Sequence, residues 1–159
     1  MPELEEQQRD LTLTIGGTYT RVFALFLDER VTQWRGEWHE YFVYEAGEAV
    51  ELEPGEAFVA LLKTMNAKPG LPGSEQFWSP LTRMDLAPYT VEIVCEGVFT
   101  LKEGEGLTVD KAEGLIEPEV TPAMTKEAPS SAHYYVKLTE IATGAVSYPI
   151  AGTMLFKKP

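Results

Sequence analysis

Hydrophobic and polar residues alternate in short runs through most of the chain, and turn residues separate the runs. Near the start, Leu11, Leu13 and Ile15 alternate with threonines, which predicts a strand with one buried face. The next run, residues 19–27, is apolar on both faces and predicts a central strand that is covered on both sides. The chain therefore opens with β-structure.

The same alternation continues in the second half of the chain. Strands are predicted at residues 91–96, 98–101, 107–109, 115–120, 133–138 and 146–156. After the fourth of these, Thr121 and Pro122 are typical of the start of a helix and predict one helical turn. Strands that recur about every eight to twelve residues predict an antiparallel sandwich or barrel.

The middle of the chain, residues 31–83, has a different composition. It contains all three tryptophans and many of the other aromatic residues. Residues 50–53 alternate, Pro54-Gly55 marks a turn, and residues 58–62 predict the returning strand of a hairpin. A unit of about fifty residues builds a poor core alone, so large aromatic side chains are expected to supply much of its buried area.

These patterns divide the chain into three parts. The predicted fold class is all-β: an antiparallel β-sandwich, formed by residues 11–30 and 84–159, with a small inserted aromatic-rich β module at residues 31–83. Residues 1–10 are predicted to be a flexible acidic arm.

The net charge of the chain limits the classes of partner that it is expected to bind. Twenty-five acidic residues face 13 basic ones, for a net charge of −12. Nucleic acid and anionic membrane surfaces are both negatively charged, so we expect neither as a partner and a basic protein surface instead. The start of the chain does not resemble a signal peptide, and no apolar run approaches the length of a membrane-spanning helix, so we expect synthesis in the cytoplasm.

No pattern in the sequence predicts catalysis. Acidic residues are abundant, but no two are marked as the facing pair of carboxyl groups that glycoside hydrolysis needs. His39 and His133 lie in no metal-ligand spacing, and the single cysteine, Cys95, can form neither an internal disulfide nor a thiolate cage. We expect no catalytic residue, no metal ligand and no cofactor.

Aromatic side chains of the inserted module are the candidates for ligand binding. An exposed aromatic ring can stack on the C–H face of a sugar ring while polar neighbours bond its hydroxyl groups. The candidates are Trp34, Trp38, Tyr41, Phe42, Tyr44, Phe77 and Trp78. The same residues could instead form a miniature core or pack against the sandwich, and the sequence leaves these alternatives open.

The outer segments resemble a known domain. In order they are GGTYTRVFALF, MDLAPYTVEIVCEG, GLTVDKAEGLIEPEVTPAMTKEAP and AHYYVKLTEIATGAVSYPIAGTMLFKKP. This succession resembles a small β-sandwich domain of tailed-bacteriophage structural proteins, such as the N-terminal domain of baseplate upper proteins. Pro88 stands where that domain usually has a glycine. The resemblance implies a role in virion architecture, with other virion proteins as partners, several copies per particle and no catalytic residues.

The inserted module has a resemblance of its own. The matching positions are Trp38, Tyr44, Gly47–Val50, Gly55, Phe58–Ala60, Asn66, Pro69-Gly70 and Trp78–Leu81. They are similar to the small chitin-binding-type carbohydrate-binding module, although Glu48 stands where aspartate is usual. That resemblance implies a cell-surface polysaccharide as a ligand.

Together these observations favour a non-enzymatic component of a tailed phage or phage-like particle, made in the host cytoplasm and located in the virion. It would be a baseplate or tail adaptor or a head decoration protein that docks through its sandwich. The inserted module would contact a neighbouring subunit or a glycan. The alternative is a dedicated carbohydrate-binding protein that adheres to host-surface glycans.

Overall fold

The computed structural model describes residues 7–8, 10–26, 28, 30–53 and 56–159. In chain order the strands are β1 Gln7–Gln8, β2 Leu11–Thr14, β3 Tyr19–Thr20, β4 Phe23–Ala24, β5 Gln33–Glu37, β6 Val43–Tyr44, β7 Glu48–Glu53, β8 Glu56–Ala60, β9 Thr64–Met65, β10 Trp78–Pro80, β11 Tyr89–Cys95, β12 Phe99–Glu103, β13 Gly106–Asp110, β14 Leu115–Val120, β15 Ser131–Glu140 and β16 Val146–Lys157. One short helix, α1 at Pro122–Thr125, lies between β14 and β15. The all-β prediction is confirmed.

One large sheet contains the outer segments of the chain. Its order is β1-β16-β15-β11-β12-β13-β14-β3, with β2 also beside β16 and β4 also beside β14. Among the described strands of this sheet, pairs are antiparallel except that β1 and β2 run parallel to β16, and β12 runs parallel to β13. Residue alternation does not reveal the parallel pairs, because strand direction depends on how the connections run.

The sandwich core follows the predicted alternation. Side chains from β11 and β15 enter the core at every second position: Val91, Ile93, Cys95, Tyr134, Val136 and Leu138. Burial, together with the nearby Glu96 carboxylate, raises the pKa of the Cys95 thiol to about 11. That thiol therefore stays protonated at neutral pH and packs as an apolar group.

The prediction of one central strand at residues 19–27 is wrong. The structure has two short strands there, β3 and β4, and both pair with β14 at the edge of the large sheet. The apolar faces have separate partners, because Phe23 and Leu25 enter the sandwich core while Ala24 and Phe26 pack against the inserted module. Leu27 lies outside the described residues.

The predicted helical turn is present, but its cap differs from the expectation. Thr121 precedes α1 in an extended conformation and makes no side-chain capping hydrogen bond. Thr125, at the end of the turn, is buried, and its hydroxyl accepts a hydrogen bond of 2.9 Å from the Gly16 backbone N–H. The turn is therefore held by the loop after β2 rather than by its own cap.

The inserted module forms a four-stranded sheet in the order β10-β8-β7-β5 and a two-stranded sheet of β6 and β9. One face of the larger sheet presents Ala49, Ala57 and Val59, which pack with Ala24 and Phe26 in a cluster shared with the outer segments. The opposite face builds a separate aromatic cluster. The module therefore has two small cores, one of them completed by the rest of the chain.

Most of the predicted flexible arm, residues 1–6 and 9, lies outside the described residues. Gln7 and Gln8 pair with Ile150 and Ala151 of β16. Asp10 accepts a hydrogen bond of 2.9 Å from the Thr153 backbone N–H. The end of the arm is therefore aligned with the large sheet.

An aspartate and an arginine join the two connections between sandwich and inserted module. Asp28 Oδ1 accepts hydrogen bonds from the backbone N–H and Nε–H of Arg30, at 3.1 and 3.0 Å. Arg30 donates to Ser79 Oγ at 2.8 Å and to the Pro80 carbonyl at 3.1 Å, while the Thr82 N–H donates to Asp28 Oδ2 at 3.3 Å. We call these five residues the neck, because they tie the outgoing chain to the returning chain.

The contribution of the neck to the stability of the folded protein is expected to depend on pH. The Arg30 side-chain hydrogen bonds, aided by backbone N–H donors, lower the pKa of Asp28 despite its burial. Stabilisation is therefore present above the ordinary carboxyl pKa of about 3.9 and is lost as the pH falls through the lower value of the folded state. Asp28→Asn should reduce the free energy of unfolding at neutral pH and flatten its decline in acid, as measured by urea unfolding at several pH values.

A matched variant controls for loss of a surface carboxylate. Asp85 is exposed, and its side chain accepts a hydrogen bond from Ala87 N–H within its own turn. Asp85→Asn should retain the pH profile of the unmodified protein. A profile that Asp28→Asn leaves unchanged would contradict the role assigned to the neck.

Candidate functional site

An open groove with a volume of about 420 Å³ lies beside the β7–β8 hairpin of the inserted module. We call it the insert groove. Its lining residues are Glu37, Trp38, Glu51, Leu52, Glu56, Phe58, Lys68, Pro69, Gly70 and Leu71. The volume lies within the range of about 300–1,000 Å³ that is typical of small-molecule sites.

The hairpin supplies the apolar floor of the insert groove. The Phe58 and Leu52 side chains both lie against Gly70, at 3.6 and 4.0 Å from the position of a Cβ there, and therefore share one side of the β7–β8 hairpin. The loop of Lys68 to Leu71 closes over these two side chains. Gly70 has a φ of +82°, and a Cβ there would lie 3.6 Å from the Phe58 ring. That distance is an ordinary van der Waals contact, so it is the left-handed backbone at this position that favours glycine.

Trp38 forms one side of the insert groove. It directly follows β5, and its backbone N–H donates a 3.1 Å hydrogen bond to the Glu51 carbonyl. The indole is only partly buried and packs at the border of the aromatic cluster below. Its backbone is thus fixed against β7 while part of its ring remains accessible.

Charged residues surround the aromatic surface of the insert groove. Glu37, Glu56 and Lys68 are exposed, and each reaches the groove from a different segment. Carboxylates accept hydrogen bonds, and the ammonium group donates them. The groove therefore combines aromatic rings with both kinds of hydrogen-bonding group, which is the combination that recognises a polyhydroxylated ligand.

Two of the seven candidate aromatic residues form the core beneath the groove. Tyr44 and Trp78 are 1% and 3% exposed, and their rings meet edge to face with centroids 5.3 Å apart. Trp78 Nε1 donates to the Ala67 carbonyl at 2.7 Å, and Tyr44 Oη accepts from the His39 N–H at 2.9 Å. Their assignment as sugar-stacking residues is corrected, since neither ring can reach a ligand.

The other five candidates lie in different environments. Trp34 packs against the cluster shared with the outer segments, and Phe77 packs against the aromatic cluster. Trp38 lines the insert groove. Tyr41 and Phe42 are exposed, at 77% and 48%, and lie outside the groove lining. Of the seven, the structure brings Trp38 to the groove.

Tyr41 and Phe42 begin an exposed apolar surface. Val43 of β6 pairs with Met65 of β9, and both side chains are largely exposed, as is Leu62. We call these five residues the apolar tip. Each of these apolar side chains is accessible to a partner, and Val43 and Met65 are direct neighbours across β6 and β9.

Glu48, which stands at the position of the family's aspartate, is part of the module's internal structure. It is 7% exposed, forms an ion pair with Arg35 and accepts a 2.7 Å hydrogen bond from the Glu45 N–H. Burial alone would raise the pKa of Glu48, but the bonds from Arg35 and Glu45 outweigh it and lower the pKa. The Arg35 guanidinium also lies 5.2 Å from the centre of the Tyr44 ring. This carboxylate therefore stabilises the start of β7.

Residues that the sequence did not mark as binding residues complete the insert groove. Phe58, Leu71 and Lys68 line it beside Trp38. A usable signal was the pairing of residues 50–53 with the returning strand, which places Leu52 and Phe58 on one face. The Pro69-Gly70 turn gives no indication of which surface it covers.

No family model and no curated protein matches this chain. Within the described part of the chain, no helix is both long and apolar enough to cross a membrane. In the same residues, no group of three or more His, Cys, Asp and Glu side chains is placed to hold a metal ion.

Proposed function

We propose that this protein is a non-enzymatic component of a tailed phage or phage-like particle, in which the sandwich docks to other virion proteins and the insert groove binds a glycan. The observation that carries the proposal is the insert groove, where Trp38 and Phe58 lie among Glu37, Glu56 and Lys68. In this proposal the protein is made in the host cytoplasm and functions in the virion.

The charges of the insert groove select among glycans. Glu37 and Glu56 line it as exposed carboxylates, and Lys68 is the cation among the described lining residues, whereas the Glu51 side chain is buried and paired with Arg21. An acidic sugar would place its carboxylate among like charges, which is unfavourable. Neutral sugars, including N-acetylated ones, avoid this repulsion and can stack on the aromatic surface. The proposed ligand is therefore a neutral polysaccharide.

Two features support membership of a phage particle. The motifs of the outer segments occur in the same order as in the phage β-sandwich domain that they resemble, and the inserted module forms its own sheet beside the large sheet. The module lies between strands β4 and β11, and its own sheet is distinct from the large sheet. A single shallow groove binds weakly, but several copies on one particle would act together and increase the apparent affinity. The baseplate, the tail and the head surface all remain compatible locations.

The apolar tip supports the second contact expected of the inserted module, which is a neighbouring subunit. Its five side chains are exposed and aromatic or aliphatic, as are the central residues of many protein interfaces. In a dedicated carbohydrate-binding protein, the alternative function, this surface would need no protein partner. Glycan binding is common to both proposals, and incorporation into particles distinguishes them.

Trp38→Ala is expected to weaken oligosaccharide binding about tenfold, because the stacking ring is lost while the core of Tyr44 and Trp78 remains. Isothermal titration calorimetry with chitin oligosaccharides and other neutral oligosaccharides measures this effect without relying on tryptophan fluorescence. Tyr41→Ala, which removes an exposed aromatic ring outside the groove, should retain the affinity of the unmodified protein.

Two results would contradict the glycan proposal. The first is that no oligosaccharide of the panel releases or absorbs heat at about 10 mM, where even weak single-site binding is measurable. The second is that Trp38→Ala and Tyr41→Ala bind equally well. Either result would leave the apolar tip as the contact surface of the inserted module.

A further inference from the structure

A second groove, with a volume of about 390 Å³, lies on the outer face of the sandwich. Its lining residues are Glu96, His133, Tyr135, Tyr148 and Ala151. His133 and Tyr135 alternate along β15 with buried Tyr134 and Val136, so they point away from the sandwich core. We call this site the sandwich groove. It shares no residue with the insert groove.

Two tyrosines provide the walls of the sandwich groove. The rings of Tyr135 and Tyr148 are nearly perpendicular, at 85°, with centroids 5.1 Å apart. Tyr148 is 48% exposed. Ala151 pairs directly with Tyr135 across β15 and β16, and its small side chain leaves open space beside the rings. A ligand can therefore contact aromatic surface from two directions.

His133 and Glu96 supply hydrogen-bond acceptors to the sandwich groove, and the two tyrosine hydroxyl groups can both donate and accept. His133 Nδ1 lies 2.9 Å from the Gly152 carbonyl oxygen, which can only accept a hydrogen bond. Nδ1 therefore carries the proton of the neutral ring, and Nε2 is left as an acceptor. Glu96 adds an exposed carboxylate. No lysine or arginine is among the described residues that line the groove.

We infer that the sandwich groove binds a basic side chain, the guanidinium of an arginine or the ammonium of a lysine, from a partner protein. Two aromatic rings attract a cation through their electron-rich faces, and Glu96 supplies the opposite charge. The chain's net charge of −12 favours approach of a basic surface. The identity of the partner as another virion protein rests on the proposed function, whereas binding of the cation does not depend on glycan binding.

The two histidines of the chain provide a direct test by proton NMR. His133 lines the sandwich groove, and His39 lies in the inserted module with its ring 4.7 Å from that of Phe42. The probe is N-acetylarginine amide, and its matched control is N-acetylcitrulline amide, which replaces the charged guanidinium with a neutral urea. We expect saturable shifts of the His133 ring signals with the arginine compound, unchanged His39 signals, and at least about tenfold weaker binding of the citrulline compound.

Two variants of lining residues test whether the arginine compound binds in the sandwich groove. Glu96→Gln keeps the shape of the side chain and removes its charge, and Tyr148→Ala removes one exposed ring. Each should weaken binding of the arginine compound about tenfold. Tyr41→Ala, which changes an exposed ring on the inserted module, should have no effect.

Three results would overturn the inference. They are equal binding of the arginine and citrulline compounds, no shift of the His133 signals at about 100 mM of the arginine compound, and saturation of those signals by a neutral oligosaccharide. Glycan binding in the insert groove is measured separately, through its dependence on Trp38. Either proposal can therefore fail while the other stands.

Discussion

Replacing Gly114 by alanine is expected to destabilise the protein by about 4 kcal/mol, close to the whole stability of a marginally stable domain. Gly114 is buried, has a φ of +67°, and would place a Cβ 2.4 Å from the Met84 carbonyl oxygen and 3.2 Å from that of Leu25. Both obstacles are backbone atoms at the points where the chain leaves and re-enters the sandwich. Hydrogen bonds of 2.8 Å, from Leu25 N–H to Gly114 and from Met84 N–H to Leu25, hold them there. Urea unfolding followed by circular dichroism measures the loss.

A second glycine separates the steric effect from the backbone conformation. Gly144 has a similar φ of +76°, but a Cβ there would meet nothing within 4 Å. Gly144→Ala should cost only about 1–2 kcal/mol, the strain of a left-handed alanine. Equal losses for the two variants would show that the close approach at Gly114 adds nothing.

Trp78→Ala should cost about 3–5 kcal/mol, because it removes a buried indole and leaves a cavity beneath the insert groove. Tyr44 would lose its edge-to-face partner, and the Ala67 carbonyl would lose the hydrogen bond from Nε1. Phe58 and Trp38, which pack on the same cluster, would lose their support. Thermal unfolding and oligosaccharide calorimetry of this variant should therefore show reduced stability and loss of binding together.

Trp78→Phe tests which part of the indole matters. Phenylalanine keeps much of the apolar volume but cannot donate to Ala67, so the expected cost is smaller, about 1–2 kcal/mol. If Trp78→Ala unfolded at the same temperature as the unmodified protein, the aromatic cluster would not be the core of the inserted module.

The strands of the second half of the chain were largely predictable, because burial alternates there with the residue pattern. Tyr134, Val136 and Leu138 are buried, as the alternation of β15 indicated. Residues 19–27 were misinterpreted, since apolarity shows that a side chain is covered but not what covers it. Phe23 and Ala24 are adjacent in the chain and belong to different cores.

The two grooves show where local sequence patterns lose their predictive value. Trp38 and Trp78 are both tryptophans with aromatic residues close by in the sequence, so the local pattern does not distinguish them. In the structure, Trp38 lines the insert groove and Trp78 is buried beneath it. The sandwich groove was not predicted at all. Tyr135 and Tyr148 are far apart in sequence, and their rings meet because β15 pairs with β16. That pairing contains an irregularity between Val136 and Leu138, which the residue pattern does not indicate. A shift of register would move their side chains apart or to opposite faces.

The cluster shared by Ala24, Phe26, Ala49, Ala57 and Val59 has a consequence for how the inserted module would act on a particle. The small alanine side chains let the sheet of the inserted module pack directly against the outer segments. The neck also ties together the two segments that connect the module to the sandwich. The module is thus held against the sandwich by packed side chains as well as by its two connecting segments. Its groove would point in a direction dictated by the orientation of the sandwich, so an array of copies would present ligand sites at fixed spacing and angle.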